Sequence, residues 1–317
     1  MNEERIFNIS NLSFSNLSEL SEKESNNFEM RICELAYIAS EIAESAKKLI
    51  VDGININEVF TLLSEEITNF FEGKYDSSRE RDEEFKERVC GFVSKLSELD
   101  KANLASLILE RMNEAGISVG ECDFLPSLES EEIFTYVKNS LADEAFDVLS
   151  ENFSDPRVAY SDSFKEACFA VADGKAGYCI LPFEEKGGIP IPTIQFLISA
   201  LDLKISALTP VFGYDGTADM KYALVGRGFS IPEIGEDIDR YLEIKISDDD
   251  SMSIASILSV AEYFGITVYR ITTMADNSSV YYSLVLRDSG KSFTEFLIFL
   301  NIFVPAYIPV GIYKNLE

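Results

Sequence analysis

Two kinds of hydrophobic patterning run along the chain, and the change falls near residue 130. Before it, apolar residues recur at helical spacing. Between Phe28 and Val51, the stripe Ile32, Leu35, Ala36, Ala39, Ile42, Ala43, Ala46, Leu49 and Ile50 predicts an amphipathic helix ended by Gly53. Asn57 opens a second, with Val59, Phe60, Leu63, Ile67, Phe70 and Phe71 inward. The run SSRERDEE opens a third that carries Phe85, Val89, Phe92, Val93 and Leu96. Asp100 is the expected cap of a fourth, with Leu104, Leu107, Ile108 and Met112 on one face and Gly116 as its stop. Residues 1–130 thus read as a helical bundle behind a loosely held N-terminal arm, with Gly116 to Ser130 as a linker.

Beyond the linker, short apolar runs alternate with helical ones. Ile133–Val137 and Arg157–Tyr160 read as strands around a helix from Leu141 to Phe153. Phe164, Ala167, Cys168 and Val171 predict a further helix, stopped at Asp173-Gly174. Tyr178–Leu181 is a buried strand that Pro182 should end, leaving Glu184 in a loop that runs to Thr193. A helix over Thr193–Ala200 and strands at Leu203–Leu208 and Tyr222–Val225 follow. The alternation predicts a mostly parallel sheet over 131–235, with ligands beyond the carboxyl ends of its strands. The remainder, 239–317, reads strand (Tyr241–Ile246), helix (Ile254–Phe264), strand (Ile266–Ile271), strand (Val280–Leu286), helix (Phe293–Phe303), strand (Ala306–Tyr313). That βαββαβ order is ferredoxin-like. The expected fold class is therefore multi-domain α and α/β: a helical bundle, a small α/β domain and a ferredoxin-like domain.

Composition narrows the chemistry. The 317 residues are 46% hydrophobic and carry a net charge of -28, which argues against nucleic acid and anionic lipid as partners. There is no histidine, so Ser-His-Asp triads, Cys-His pairs and histidine metal sites are excluded. The five cysteines, Cys33, Cys90, Cys122, Cys168 and Cys179, form no C-x-x-C pair. Most of them sit among apolar neighbours and read as small core residues, in a cytoplasmic protein without a metal or other cofactor. The start MNEERIFNIS lacks the basic and apolar segments of a secretory signal. The apolar stretch Phe293–Tyr313 is broken by Glu295, Asn301, Pro305 and Pro309, so no membrane span is expected.

The stretch SFKEACFAVADGKAGYCILPFEEK, followed by Gly187-Gly188, Thr193 and Phe196-Leu197-Ile198, resembles the first half of prephenate dehydratases, which make phenylpyruvate. Leu203-Lys204-Ile205 and MKYALVGRG fit the same family. Gly265–Ile271 and Pro309–Tyr313 resemble the ACT domain that follows in those enzymes. The resemblance covers residues 131–317 in order. It implies a periplasmic-binding-like α/β lobe, an ACT-like tail that pairs two chains into a homodimer, and a small carboxylate or an aromatic amino acid as ligand.

The departures from that family fall on its chemistry. The threonine whose hydroxyl the family uses stands at Met220, which offers no hydrogen bond, and its arginine neighbour is Lys221, which lacks the bidentate fork. Glu184 and Thr193 persist, while the family's Asn-Ser becomes Glu185-Lys186. Leu208 to Asp219 is a short loop where the family inserts a second lobe. At the family's phenylalanine-effector positions stand Met252, Ser253, Thr267 and Thr272, and the Met252 side chain should fill the space a glycine leaves.

Each candidate admits a bland reading. Glu184 is a ligand contact or part of a solvated turn, Thr193 a contact or a helix N-terminal residue, and Lys221 a carboxylate holder or a partner for Asp219 or Glu184. Gly187-Gly188 presents N–H groups to an anion or makes a flexible turn. Asp248-Asp249-Asp250 reads as a solvated turn. Three functions stay open: a non-catalytic relative of the dehydratases, an active dehydratase, and a protein–protein adaptor.

Overall fold

The computed structural model describes residues 96–316, with breaks at 213–217, 234–238, 248–251, 277–278, 289–291 and 305, plus helical positions 39, 40, 43, 47, 50 and 51. The first three expected helices, the N-terminal arm and the Asp248–Asp250 turn lie outside the described residues, those few helical positions apart. The elements are α1 (Glu98–Glu114), α2 (Glu121–Phe124), β1 (Ile133–Tyr136), α3 (Ser140–Leu149), β2 (Arg157–Tyr160), α4 (Phe164–Ala172), β3 (Tyr178–Glu185), β4 (Ile189–Pro190), α5 (Pro192–Ala200), β5 (Lys204–Phe212) and β6 (Ala218–Gly226). The tail adds β7 (Arg240–Ser247), α6 (Ile254–Tyr263), β8 (Thr267–Asp276), β9 (Ser279–Asp288), α7 (Thr294–Phe303) and β10 (Ile308–Lys314).

All ten strands among the described residues form one sheet in the order β2-β1-β3-β6-β5-β10-β7-β9-β8, with β4 paired to β3. The tail has the expected βαββαβ order, and its four strands are paired antiparallel throughout. The expected mostly parallel sheet over 131–235 is corrected. Only β1 with β2 and β1 with β3 run parallel there, while β6 is antiparallel to both β3 and β5. The reason is the short segment between β5 and β6: a parallel pairing needs a crossover of a dozen or more residues, and a hairpin does not.

Helices cover both sides. On one side α3 packs on Ile180, Ala207, Val211, Tyr222 and Leu224. On the same side α1, α6 and α7 pack on Leu242, Ile244, Ile246, Leu284, Leu286 and Ile312. On the other side α4 and α5 bury Cys179, Leu181, Phe183, Ile205, Ala223 and Val225, and the tail's Tyr241, Val285 and Tyr313 join that same core. Gly311 makes the junction between the halves. A Cβ there would stand 2.6 Å from the Ile205 carbonyl oxygen, so only glycine lets β10 lie against β5 at this point.

Two expectations near the start of the described chain change. Ser97, not Asp100, caps α1; Asp100 is the third helical residue and returns its carboxylate to the Ser97 N–H at 2.9 Å, a capping box. Gly116–Ser130 is not a loose linker. It folds into α2, buries Phe124 and Leu125, and sends Glu121 to the buried Arg240 guanidinium in a two-pronged pair at 2.7 and 2.8 Å. The α1 helix, placed by the sequence in the N-terminal bundle, lies on the tail helices α6 and α7, and Ala39 and Ala43 join the same core.

Candidate functional site

Cross-strand partners share a face of a sheet. The register links Cys179 to Val225, Val225 to Ile205, Ile205 to Gly311, Gly311 to Glu243, Glu243 to Val285 and Val285 to Arg270. One row of side chains therefore runs across the α4/α5 side from β3 to β8. A flat sheet would hold those two strands about 29 Å apart, at ~4.8 Å per strand. Yet the Arg270 Nη1 donates to Glu184 Oε1 and, at 3.3 Å, to the Gly188 carbonyl. The sheet is curled, and this ion pair closes its concave side.

Two bulges make the meeting possible. Strand β3 slips by one residue at Phe183, so Glu184 sits opposite Lys221 and shares a face with Leu181. Strand β8 slips by one at Tyr269, which puts Arg270 opposite Val285. Without the extra residue in each strand, strict alternation would turn both charges to the other side. Pro182 does not end β3; the strand continues to Glu185, and the missing N–H of proline is tolerated beside a bulge.

Glu184 is therefore neither a solvated turn residue nor a loop residue. Its side chain is 3% exposed, with Lys221 Nζ 3.7 Å from Oε2 as a second cation. Burial pulls the Arg270 pKa down, but the hydrogen bond and charge of Glu184, with the charges of Glu243 and Tyr313, together hold the guanidinium above its ordinary value. Next in the row, Glu243 is fully enclosed and accepts from Ser283 Oγ at 2.8 Å and Tyr313 Oη at 3.2 Å. Burial pushes the Glu243 carboxyl up, against the pull of those hydroxyls and of Arg270 and Lys245. Burial likewise lowers the Lys245 ammonium.

The other candidates divide. Gly187 and Gly188, at φ 91° and 77°, form the turn into β4, and the Gly188 N–H is spent on the Glu185 carbonyl at 3.0 Å. The turn offers a carbonyl to Arg270 rather than an N–H to an anion. Thr193 is exposed in the first turn of α5. Met220 faces away from Lys221: it is paired with Val211 and packs into the core under α3. Met252 is buried in the tail core, Ser253 caps α6, Thr267 is exposed at the start of β8, and Thr272 is half-buried beside Ser283. The structure thus unites Glu184, Gly188 and Lys221 and leaves Met220 on the opposite face. Sequence reasoning missed Arg270, Glu243, Ser283, Lys245 and Tyr313, since each reaches the site only through tertiary pairing. The one available signal was a lone arginine in the apolar run ITVYRI.

Among the described residues, no three His, Cys, Asp or Glu side chains converge as a metal site, and no helix is long and apolar enough to cross a membrane.

Neither a family model nor a curated protein matches the chain. Solved structures are similar at a distance. Prephenate dehydratase from Streptococcus mutans aligns with 58% of this chain and 99% of its own, at 11% identity and a TM-score of 0.48. GqqA, described as a novel type of quorum-quenching acylase, aligns with 58% and 96%, at 16% identity and 0.45. Prephenate dehydratase from Arthrobacter aurescens in complex with L-Phe aligns with 57% and 89%, at 13% identity and 0.41.

Proposed function

We propose that this chain is a non-catalytic relative of the prephenate dehydratases. In this reading it is a cytoplasmic small-molecule-binding or regulatory protein of aromatic amino-acid metabolism. The observation that carries the reading is the orientation of β6. The position of the family's catalytic threonine is a methionine whose side chain faces the core under α3, while Lys221, one residue on, faces Glu184. No hydroxyl stands at Met220 to assist loss of water, and Glu184 is held in ion pairs rather than presented as an acid or base. Its ligand is a small carboxylate or an aromatic amino acid. The 239–317 segment acts as an ACT-like domain that pairs two copies into a homodimer. Met252 fills the position where family members admit phenylalanine, so the effector site of the tail is closed.

Incubation of the full chain with prephenate tests the reading. No phenylpyruvate is expected. Release of phenylpyruvate that disappears in Glu184→Ala overturns it and favours an active dehydratase. Sedimentation of the full chain tests the homodimer, for which a monomer at all concentrations is the contrary result.

A further inference from the structure

The Glu184, Arg270 and Lys221 group has bonding capacity that the protein itself leaves unused. Arg270 engages its partners through Nη1 alone; Nε and Nη2 donate to no described residue, and neither is sealed from solvent. The Lys221 ammonium has Glu184 as its partner among the described residues, at 3.7 Å, beyond hydrogen-bond distance. Glu184 Oε2 is buried and accepts no hydrogen bond. Gly188 packs beside that oxygen: a Cβ there would stand 3.9 Å away, in van der Waals contact with it. Glu243, the other buried carboxylate in the row, has both oxygens occupied by Ser283 and Tyr313. The spare acceptor and the spare donors therefore belong to one small group, in a chain whose net charge is -28.

We infer that this group is a binding site for the zwitterionic end of a free α-amino acid, built jointly by β3, β6 and the tail strand β8. The ligand ammonium replaces Lys221 as the neighbour of Glu184 Oε2. The ligand carboxylate takes the free guanidinium edge of Arg270 together with the released Lys221 ammonium. The approach lies on the side of those two cations, whose side chains remain partly in solvent. An acid without an amino group leaves the buried Glu184 oxygen unsatisfied, and an amine without a carboxylate adds a third cation to two. The site therefore selects an amino acid over the corresponding keto acid or amine. It is distinct from the tail positions around Met252 and Ser253. The inference rests on the small-molecule-binding reading and deepens it by naming the ligand's recognised group.

The test is calorimetric titration of the full chain with each proteinogenic L-amino acid, then with the deaminated and decarboxylated analogues of the tightest binder. The amino acid should bind, and each analogue should bind roughly ten- to a hundred-fold more weakly, the factor expected for one lost charge-assisted hydrogen bond. Glu184→Gln should erase the preference over the deaminated analogue. Arg270→Gln should weaken the amino acid and the deaminated analogue alike, and Lys221→Gln, at a more exposed position, should do so to a smaller degree. Circular dichroism of the variants separates lost binding from lost fold. Binding of no amino acid, or equal binding of amino acid and deaminated analogue, overturns the proposal. A carboxylate-only ligand bound equally by wild type and Glu184→Gln removes this inference and leaves the binding-protein reading intact. Prephenate turnover lost in Glu184→Ala removes that reading instead.

Discussion

Arg240 and Arg270 both reach a carboxylate far away in sequence, and they do so in opposite ways. Arg240, at the start of β7, is fully buried. Its two terminal nitrogens grip both oxygens of Glu121, with Asp288 at 3.2 Å and the Phe293 ring beneath the guanidinium. The Glu121 carboxylate also accepts the Phe293 N–H at 2.7 Å. Arg270, on the edge strand β8, uses one nitrogen on one oxygen of Glu184 and remains partly in solvent. The first arrangement fixes α2 to the tail. The second closes the concave side of the sheet while leaving donors and an acceptor unspent. An arginine sealed in the core and gripped at both carboxylate oxygens serves structure, while one that keeps donors at the solvent edge is placed for recognition.

Four measurements break or sharpen that contrast. Arg240→Ala strands two carboxylates in the core, and denaturant unfolding should show a loss of about 3–5 kcal/mol, the cost of breaking a buried pair from one side. Gly311→Ala tests the joint between the halves. The added Cβ meets the Ile205 carbonyl, and the expected loss is about 1–3 kcal/mol, as for other overpacked sites. Arg270→Gln leaves Glu184 with Lys221 and should cost about 1.5–3 kcal/mol, the scale of one charge-assisted hydrogen bond. A loss equal to that of Arg240→Ala would erase the distinction drawn above.

The smallest effect is in pH dependence. The folded-state pKa of Glu243 lies above its unfolded value, because burial disfavours the charged form. Between those two values the folded state binds more protons than the unfolded, so this group's contribution to stability falls as pH rises. It is fully present below the ordinary glutamate pKa and lost as pH climbs through the raised one. Unfolding of wild type and Glu243→Gln across that window should show the steeper decline in the wild type. Parallel curves would mean that Glu243 does not titrate there.

Much of the fold was legible locally. Asn139, Ser163 and Ser253 each cap a helix start by accepting a backbone N–H, as short polar residues before apolar periodic runs do. The βαββαβ tail followed from period and turn signals alone. Strand ends were less legible: β3, β5 and β6 each extend past their apolar stretches because a hairpin or a neighbouring strand keeps pairing the backbone regardless of side chain. Of the site, Glu184, Gly188 and Lys221 were visible as motif positions. Their partner Arg270 was not, since nothing in ITVYRI announces a bulge.

The sequence by itself determined which segments become helices and strands, and it set the absence of histidine chemistry and of a hydroxyl at Met220. These follow from side-chain type and from periods of a few residues. Only the tertiary structure decided that Gly116–Ser130 is anchored through Glu121, and that the tail strands continue the same sheet past Gly311. It alone decided that Glu184 meets Arg270. A one-residue slip at Phe183 and another at Tyr269 reverse which face a side chain takes. Such slips are settled by how whole strands pair and curl, so the charges that define the concave site were chosen by packing across the sheet rather than by any local pattern.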